Sequence, residues 1–199
     1  TSRYTSHSVL ANGNWAKIRV SKSGVFQLTS ELIKKAGFTN LNKVKIYGYG
    51  GAMQPEVLTA DYLKKTDDLE EVPTCTMGGK RLFYAQGSVS WSTTSTKART
   101  RNPYSDYGYY LITESDEEPA SVDSTSFVNS FYPSGDDYHT LYEIDNYAWY
   151  SGGRNLFDSY QYSSGSSKTY TLASPGLTNN GSVSIALTAS AYTVASISV

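Results

Sequence analysis

The residues that could carry out nucleophilic catalysis are few in this 199-residue sequence, which has one cysteine, Cys75, and two histidines, His7 and His139. A cysteine peptidase needs a thiolate that a nearby imidazole activates. Cys75 is followed by neither a glycine-rich oxyanion turn nor a predicted helix, so we expect it to be structural. His7 lies near the N-terminus and His139 in a polar stretch, and we expect both to be inert. The sequence therefore predicts no catalytic residue, and we expect that this chain by itself is not an enzyme.

The acidic residues form clusters whose spacing does not fit an EF-hand loop. The sequence also lacks the histidine and cysteine spacing that is typical of zinc sites. We therefore expect solvated carboxylates, with adventitious cation binding as the alternative, and we predict no metal site. The clusters are Asp67-Asp68 with Glu70-Glu71, Asp116-Glu117-Glu118, and Asp136-Asp137.

One glycine-rich stretch, Gly48-Tyr49-Gly50-Gly51, invites comparison with phosphate-binding loops. In a P-loop, a lysine follows the glycines and reaches the phosphates. No such lysine follows here, and the stretch joins a predicted strand to an extended loop. We interpret it as a structural turn, and we predict no cofactor and no cofactor-binding residue.

The aromatic residues carry a second functional hypothesis, in which exposed rings stack on the sugars of a glycan. The alternative is that the rings pack against each other across strands. Alternation along the sequence does not decide which rings are exposed, and we favour packing. The residues concerned are Trp91, Tyr104, Tyr107, Tyr109, Tyr110, Trp149 and Tyr150.

The composition excludes several classes of protein. Basic residues number 17 and acidic residues 18, which argues against a nucleic-acid-binding protein and against a polybasic membrane-surface protein. A single cysteine excludes an intrachain disulfide, and no apolar run is long enough to span a bilayer. The 18 tyrosines and the low charged fraction of 18% favour an exported β-rich protein, since tyrosine suits half-buried strands. We expect an extracellular or outer-membrane-surface location.

Alternating apolar and polar residues predict strands along most of the chain. In residues 15–20, Lys17 and Arg19 point to one face, and the apolar residues between them point to the other. We predict further strands at residues 25–28, 43–48, 80–85, 109–113, 168–172 and 182–187.

One helix interrupts the strands. Thr29 is a good N-cap, lysines occupy the last turn, and Gly37 can adopt the left-handed conformation that ends a helix. The elements together predict an all-β fold, a jelly-roll-like β-sandwich with one short α-helix near residues 30–36.

The domain organisation is less marked in the sequence. The acidic run from Glu114 to Pro119 is the best boundary, which gives an N-terminal β-rich subdomain at 1–118 and a second β-subdomain at 119–199. The alternative is one β-sandwich over 1–199. Because residues 196–199 read as part of a strand, we expect that the second subdomain is truncated at its C-terminus.

Several segments in the same order resemble the N-terminal region of a known family. The family comprises gingipain-like cysteine peptidases of the type IX secretion system of Bacteroidetes, of the PorU-type sortase group. The resemblance covers most of residues 8–160. It rests on Ser8-Val9-Leu10-Ala11-Asn12-Gly13-Asn14-Trp15-Ala16-Lys17-Ile18, Ser23-Gly24-Val25-Phe26-Gln27-Leu28, Ile46-Tyr47-Gly48-Tyr49-Gly50-Gly51-Ala52-Met53-Gln54-Pro55-Glu56, Leu82-Phe83-Tyr84-Ala85-Gln86-Gly87 and Asn102-Pro103-Tyr104-Ser105-Asp106-Tyr107-Gly108-Tyr109-Tyr110-Leu111-Ile112-Thr113, with a fainter match at Leu141-Tyr142-Glu143 and Gly153-Arg154-Asn155-Leu156-Phe157.

This resemblance implies a non-catalytic role. In such proteins the histidine–cysteine dyad lies in a downstream caspase-like domain, and the N-terminal β-sandwich supports that domain or covers it as a propeptide. The expected partners are therefore the downstream peptidase domain of the same chain or components of the type IX secretion system. A stand-alone extracellular glycan-binding or adhesive module is the alternative.

Overall fold

A computed structural model of the chain describes residues 4–91, 99–125, 142–148 and 156–172. The chain divides into two compact units, Thr1–Phe131 and Tyr132–Val199. The predicted strand at 182–187 and the possible strand end at 196–199 lie outside the described residues.

The described residues of the first unit form short antiparallel strands in two sheets and a ribbon. Strands β1, β8 and β3 make the first sheet in that order, β2, β5 and β4 make the second, and β6 and β7 form the ribbon. All named pairs are antiparallel. The strands are β1 (Trp15–Val20), β2 (Gly24–Leu28), β3 (Val44–Gly50), β4 (Thr74–Met77), β5 (Lys80–Ala85), β6 (Val89–Trp91), β7 (Arg99–Arg101) and β8 (Gly108–Glu114).

Aliphatic residues from both sheets meet in a single core, so the sheets form a sandwich and the predicted all-β fold is confirmed. Its fully buried side chains are Leu28, Ile33, Val44, Ile46 and Ile112. Strand alternation brings Leu28, Val44, Ile46 and Ile112 inward, and Ile33 comes from the helix that follows β2. Each contributes about 1.5–3 kcal/mol by leaving water. The inward positions of the four strand residues follow the alternation read from the sequence.

Helix α1 (Ser30–Lys35) covers one part of this core with Ile33. The Thr29 hydroxyl accepts a hydrogen bond from the Leu32 amide at 3.2 Å, as an N-cap should. Gly37 follows the helix with φ +88°, the left-handed conformation that glycine adopts at low cost. The predicted helix is therefore confirmed with both of its end signals.

A second helix, α2 (Ala60–Lys65), was not predicted, so the expectation of one short helix was wrong. Thr59 caps α2, since its hydroxyl accepts from the Tyr62 amide at 3.2 Å. No residue of α2 is buried, so the helix lacks the apolar stripe by which sequence patterns reveal helices. Two 3-10 turns, Val9–Ala11 and Leu41–Lys43, complete the helical elements.

Close backbone packing joins the two sheets at the end of β5. A Cβ atom on Gly108 would lie 2.0 Å from the carbonyl oxygen of Gln86, so only glycine fits there. The Gln86 amide donates to the Tyr110 hydroxyl at 2.7 Å, and its side-chain amide donates to the Ser23 hydroxyl at 2.8 Å. The Gly51 amide donates to the Gln86 carbonyl at 3.0 Å. The glycine-rich stretch thus packs against backbone.

The second unit is built differently in the residues that the structure describes. Tyr147 and Phe157 form an isolated bridge with two backbone hydrogen bonds of 2.9 and 2.8 Å. Among residues 142–148 and 156–172, none is buried. The predicted strand at 168–172 is absent, because its alternating residues are threonine and tyrosine rather than aliphatic residues that a core would bury.

The first unit extends past the predicted seam at residues 118/119. The Thr74 amide donates to the Ala120 carbonyl, and the Val122 amide donates to the Thr74 carbonyl, each at 2.9 Å. These bonds hold residues 120–122 against β4, and the compact unit continues to Phe131.

Candidate functional site

The cysteine and histidines are not gathered into one site in the described residues. Cys75 is half-buried in β4, opposite Leu82 of β5. His7 is exposed near the N-terminus, where its Nδ1 lies 2.9 Å from the Ser6 hydroxyl, and His139 lies outside the described residues. No hydrogen bond joins Cys75 to His7 in the part of the chain that the structure describes.

The first acidic cluster fixes the chain to itself. Asp68 accepts hydrogen bonds from the Val9 amide at 2.7 Å and the Ser8 hydroxyl at 2.9 Å. Partial burial raises the pKa of Asp68, but the hydrogen bonds from Val9, Leu69 and Ser8 outweigh it, and the net pKa is lowered. The Asp68 carboxylate therefore holds the N-terminal segment by hydrogen bonds, whereas the sequence alone predicted a solvated carboxylate.

A buried lysine connects the first acidic cluster to the second. The Lys45 Nζ lies 2.9 Å from a Glu117 oxygen and 3.7 Å from a Glu71 oxygen. Glu71 also accepts a hydrogen bond from the Ala120 amide at 2.7 Å. The hydrogen bond from Lys45 to Glu117 raises the pKa of Lys45 despite its burial. These carboxylates are therefore ion-pair and backbone partners, and Asp136 and Asp137 lie outside the described residues.

The described residues hold neither a metal-binding cluster nor a membrane-spanning helix. No group of three or more histidine, cysteine or carboxylate residues there could hold a metal ion. None of the helices found in those residues is long and apolar enough to cross a membrane.

The surface best suited to binding is the outer face of the first sheet, which we call the tyrosine face and define by Tyr47, Tyr49, Tyr107 and Tyr109. Cations from β1 lie over two of its rings. The Lys17 Nζ is 4.0 Å from the centre of the Tyr109 ring, and the Arg19 Cζ is 4.4 Å from that of Tyr107. Such cation–π contacts hold long side chains and rings in fixed positions.

A β-bulge shapes this face. The register of β3 against β8 shifts between Tyr47 and Gly50, and Gly48 has φ +135° with its Cβ position 3.2 Å from the Tyr109 carbonyl oxygen. Glycine is needed there because a side chain would be both strained and crowded. The bulge lets the strand turn while Tyr47 and Tyr49 both face the groove.

The groove on the tyrosine face is wide enough for a ligand or a partner side chain. Its volume is about 740 Å3, and it runs between the sheet and α2. Tyr49 ties the end of α2 and the turn after it to the sheet, since its hydroxyl lies 3.2 Å from the Lys65 carbonyl oxygen and donates to the Asp68 carbonyl at 2.6 Å. The groove is lined by rings and a few polar groups, among them Tyr47, Tyr62, Tyr109, Gln54, Glu70 and Lys17.

The electrostatics of the face favour neutral phenols. Burial, followed by the nearby Glu71 carboxylate, raises the pKa of Tyr47. Burial and the carboxylates of Glu70 and Asp68 raise the pKa of Tyr49. Both hydroxyls stay protonated at neutral pH, so the face offers apolar rings and hydrogen-bonding groups rather than reactive oxyanions. Such a surface is chemically suited to binding a partner or a ligand.

The structure separates the aromatic residues that the sequence grouped together. Tyr110 is buried in the core, where its hydroxyl accepts from Gln86. Tyr104 is 87% exposed and Trp91 is 39% exposed. Trp149 and Tyr150 lie outside the described residues.

Sequence reasoning did not single out Tyr47, Tyr49, Lys17 or Arg19 as one surface. The alternation in residues 15–20 correctly placed Lys17 and Arg19 on the face opposite the core. It could not show that Tyr107 and Tyr109 lie beside them, because that depends on the pairing of β1 with β8.

Comparison with solved structures finds a relative for part of this chain. The chain is similar to PorU from Porphyromonas gingivalis, in a crystal structure of the dimeric latent form, with 38% sequence identity and a TM-score of 0.51. The match covers 60% of this chain and 11% of that chain. Part of this chain is therefore PorU-like in sequence and fold, and it corresponds to a small fraction of PorU.

No protein-family model matches the chain. No curated protein matches it either.

Proposed function

We propose that this chain is a non-catalytic β-domain of a secreted gingipain-like cysteine peptidase of the type IX secretion system, which supports or covers the peptidase domain. The observation that carries the proposal is the 38% identity to PorU over 60% of the chain. The order of the resembling segments in the sequence supports it independently of the fold. On this proposal the protein is exported and acts outside the cell or at the outer-membrane surface.

The tyrosine face supplies the docking surface that such a role needs. Interfaces between domains bury on the order of 1,000 Å2 and gain most of their affinity from a few aromatic and arginine residues. Tyr109 and Tyr107 provide the rings, and Lys17 and Arg19 keep them in place. Because Tyr49 and Tyr109 remain 39% and 37% exposed, the face retains surface for a partner to bury.

The test is to mix the 199-residue chain with a separately expressed PorU-type peptidase domain and to measure binding by calorimetry. We expect Tyr109→Ala to weaken binding by roughly tenfold or more, as for an interface hot spot. Tyr84→Ala is the matched control, since Tyr84 is a 56% exposed strand tyrosine of the second sheet and should leave binding unchanged.

Two results would refute the proposal. One is that no PorU-type peptidase domain binds the chain at micromolar concentrations. The other is that the purified chain cleaves fluorogenic peptides unaided, which would make it an enzyme.

A glycan-binding module is the second candidate, favoured by the ring-lined groove of about 740 Å3 on the tyrosine face. A glycan array probed with the chain, Tyr109→Ala and Trp91→Ala would separate the candidates. Specific binding that either variant abolishes, and that Tyr84→Ala retains, would favour this candidate, and an array without specific binding would eliminate it.

A further inference from the structure

Within the described residues, the two sides of the sandwich differ in whether extended chain lies against their edge strands. On one side, β3 and β4 are the sheet edges, and extended chain lies against both. The Val72 amide donates to the Ile46 carbonyl at 2.7 Å, and the Gly48 amide donates to the Glu70 carbonyl at 3.0 Å. We call this side, with residues 70–72 on β3 and 120–122 on β4, the closed side.

The closed side shows what kind of segment this sandwich accepts at its edge. Val72 packs against the core, while the neighbouring Glu71 carboxylate faces the Lys45 Nζ at 3.7 Å. The segment is therefore extended, apolar toward the core and acidic toward the cations of the sheet. It satisfies edge amides and carbonyls that would otherwise need water.

On the opposite side, β1 and β2 are the sheet edges, and we call the gap between them the open side. Within residues 4–91, 99–125, 142–148 and 156–172, β1 pairs only with β8, and β2 only with β5. A groove of about 490 Å3 runs between the two edges. Its apolar lining includes Ala16, Ile18, Phe26, Leu32, Ala36 and Phe83.

This groove reaches the core. Phe83 at its base is a core residue, and Ile18, Phe26 and Leu32 pack against that core while they are only partly buried. Sheet proteins usually shield such an edge with charged residues. Here the charged ends of Lys17 and Arg19 lie over the rings of Tyr109 and Tyr107 on the outer face. These two side chains therefore border the groove and leave its apolar floor uncovered.

The charge around the open side has one sign. The charged residues among those that line the groove are Lys17, Arg19 and Lys35, all basic. On the closed side, the acidic residue Glu71 of the added segment lies beside Lys45. Basic residues on the open side could pair with acidic residues of an added segment in the same way.

We propose that the open side binds an extended, acidic segment of another polypeptide chain, which adds a β-strand beside β1. Its alternate apolar side chains enter the groove between β1 and β2, and acidic side chains between them face Lys17, Arg19 and Lys35. Main-chain hydrogen bonds give the affinity, and the groove and the cations give the specificity, as in other strand-addition complexes. The proposal rests on the sandwich edges and is independent of a peptidase partner.

The probe is a synthetic eight-residue peptide that alternates valine with glutamate, titrated into the isotopically labelled 199-residue chain and followed by NMR. We expect shift changes and slowed amide exchange concentrated in β1 and β2. A peptide of the same length that alternates valine with lysine should bind on the order of tenfold more weakly, because the rim is basic. A valine–glutamate peptide with N-methylated alternate amides should lose binding, because it cannot pair with the strand.

Surface variants test the charge without disturbing the core. Lys35→Glu should weaken binding of the valine–glutamate peptide about fivefold. Lys64→Glu on α2 is the matched control and should leave that binding unchanged. Shift changes confined to the α2 side of the tyrosine face, around Tyr49 and Tyr62, or equal binding of the N-methylated peptide, would overturn the proposal. So would concentration-dependent dimerisation through β1, since the occupant would then be a second copy of the chain.

Discussion

Both units of the chain are rich in tyrosine, but the tyrosines have different surroundings in the two units. In the first unit, tyrosines surround aliphatic residues that alternate along strands, and ten hydrophobic residues are buried in one core. In the described part of the second unit, tyrosines mostly contact other tyrosines, as Tyr142 does with Tyr170 at 5.1 Å and Tyr160 with Tyr162 at 4.8 Å. The comparison teaches that β-favouring composition does not by itself make a sheet. Buried aliphatic residues with a period of two are also required.

The largest expected effect comes from removing one such aliphatic residue. Ile112→Ala in the central strand of the first sheet should lower the free energy of unfolding by about 3–4 kcal/mol, because it leaves a cavity in a fully buried site. Phe157→Ala in the second unit is the contrasting change, and it should cost less than about 1 kcal/mol since Phe157 is only half-buried. Urea unfolding followed by circular dichroism measures both. Equal losses would break the comparison.

A glycine in each unit tests backbone packing. Gly108→Ala should cost about 1–3 kcal/mol by overpacking, because the added carbon would meet the Gln86 carbonyl. Gly165→Ala in the second unit meets no atom within 4 Å and has φ +75°, so only local strain of about 1 kcal/mol results. Thermal unfolding should therefore shift for Gly108→Ala, and the main transition should stay in place for Gly165→Ala.

The pH dependence of the first unit should depend partly on Glu114. Its carboxylate accepts hydrogen bonds from the Thr39 amide at 2.7 Å, the Thr39 hydroxyl at 2.9 Å and the Asn40 amide at 3.1 Å. These bonds lower the pKa of Glu114. A carboxyl group whose pKa is lowered by folding stabilises the fold at pH values above the pKa of glutamate in the unfolded chain. That stabilisation is lost as the pH falls through the lowered pKa of the folded state.

Glu114→Gln should therefore lower the melting temperature at pH 6 and reduce the further fall between pH 6 and pH 3. Differential scanning calorimetry at both pH values measures this. Glu118→Gln, an exposed carboxylate in the next turn of chain, is the control. An acid-induced fall of the same size in Glu114→Gln and the unaltered chain would contradict the prediction.

The smallest expected effect is confined to the second unit. A hydrogen bond with the Tyr162 hydroxyl at 3.1 Å, aided by burial, raises the pKa of Tyr170 to about 12. Tyr170→Phe should remove this late component from the ultraviolet titration of the phenols and leave the urea midpoint of the first unit unchanged. A shift of that midpoint would show that the tyrosine cluster stabilises more than its own surroundings.

The sequence predicted those parts of the fold in which a local pattern decides the outcome. Residues 15–20 alternate cleanly and form β1, and Thr29 and Gly37 mark the ends of α1. The misses have a common cause. Helix α2 buries no residue, and β4 has one buried residue, Thr74, so neither carries a strong hydrophobic period. Strand β4 is held in its sheet by hairpin pairing with β5 across the two-residue turn Gly78-Gly79, so the signal for it lay in the turn and not in a hydrophobic period.

The candidate site was less predictable than the fold. Tyr110 and Tyr109 are neighbours in sequence, yet one is buried in the core and the other belongs to the tyrosine face. Alternation places them on opposite faces, but it does not identify the face that is covered. That depends on the second sheet, whose position relative to the first no local motif encodes.

The order of strands in the first sheet constrains how this protein acquires its structure. Strand β8 lies between β1 and β3 although it is the last of the three in sequence, and the Thr113 hydroxyl bonds to the Asn14 carbonyl across 99 residues. Strands β1 and β3 have no shared ladder until β8 arrives, so a nascent chain shorter than about residue 108 holds only fragments of the sheet. Contacts of such long range make folding slow, so the second sheet, whose strands all precede residue 86, can pair before the first sheet is complete.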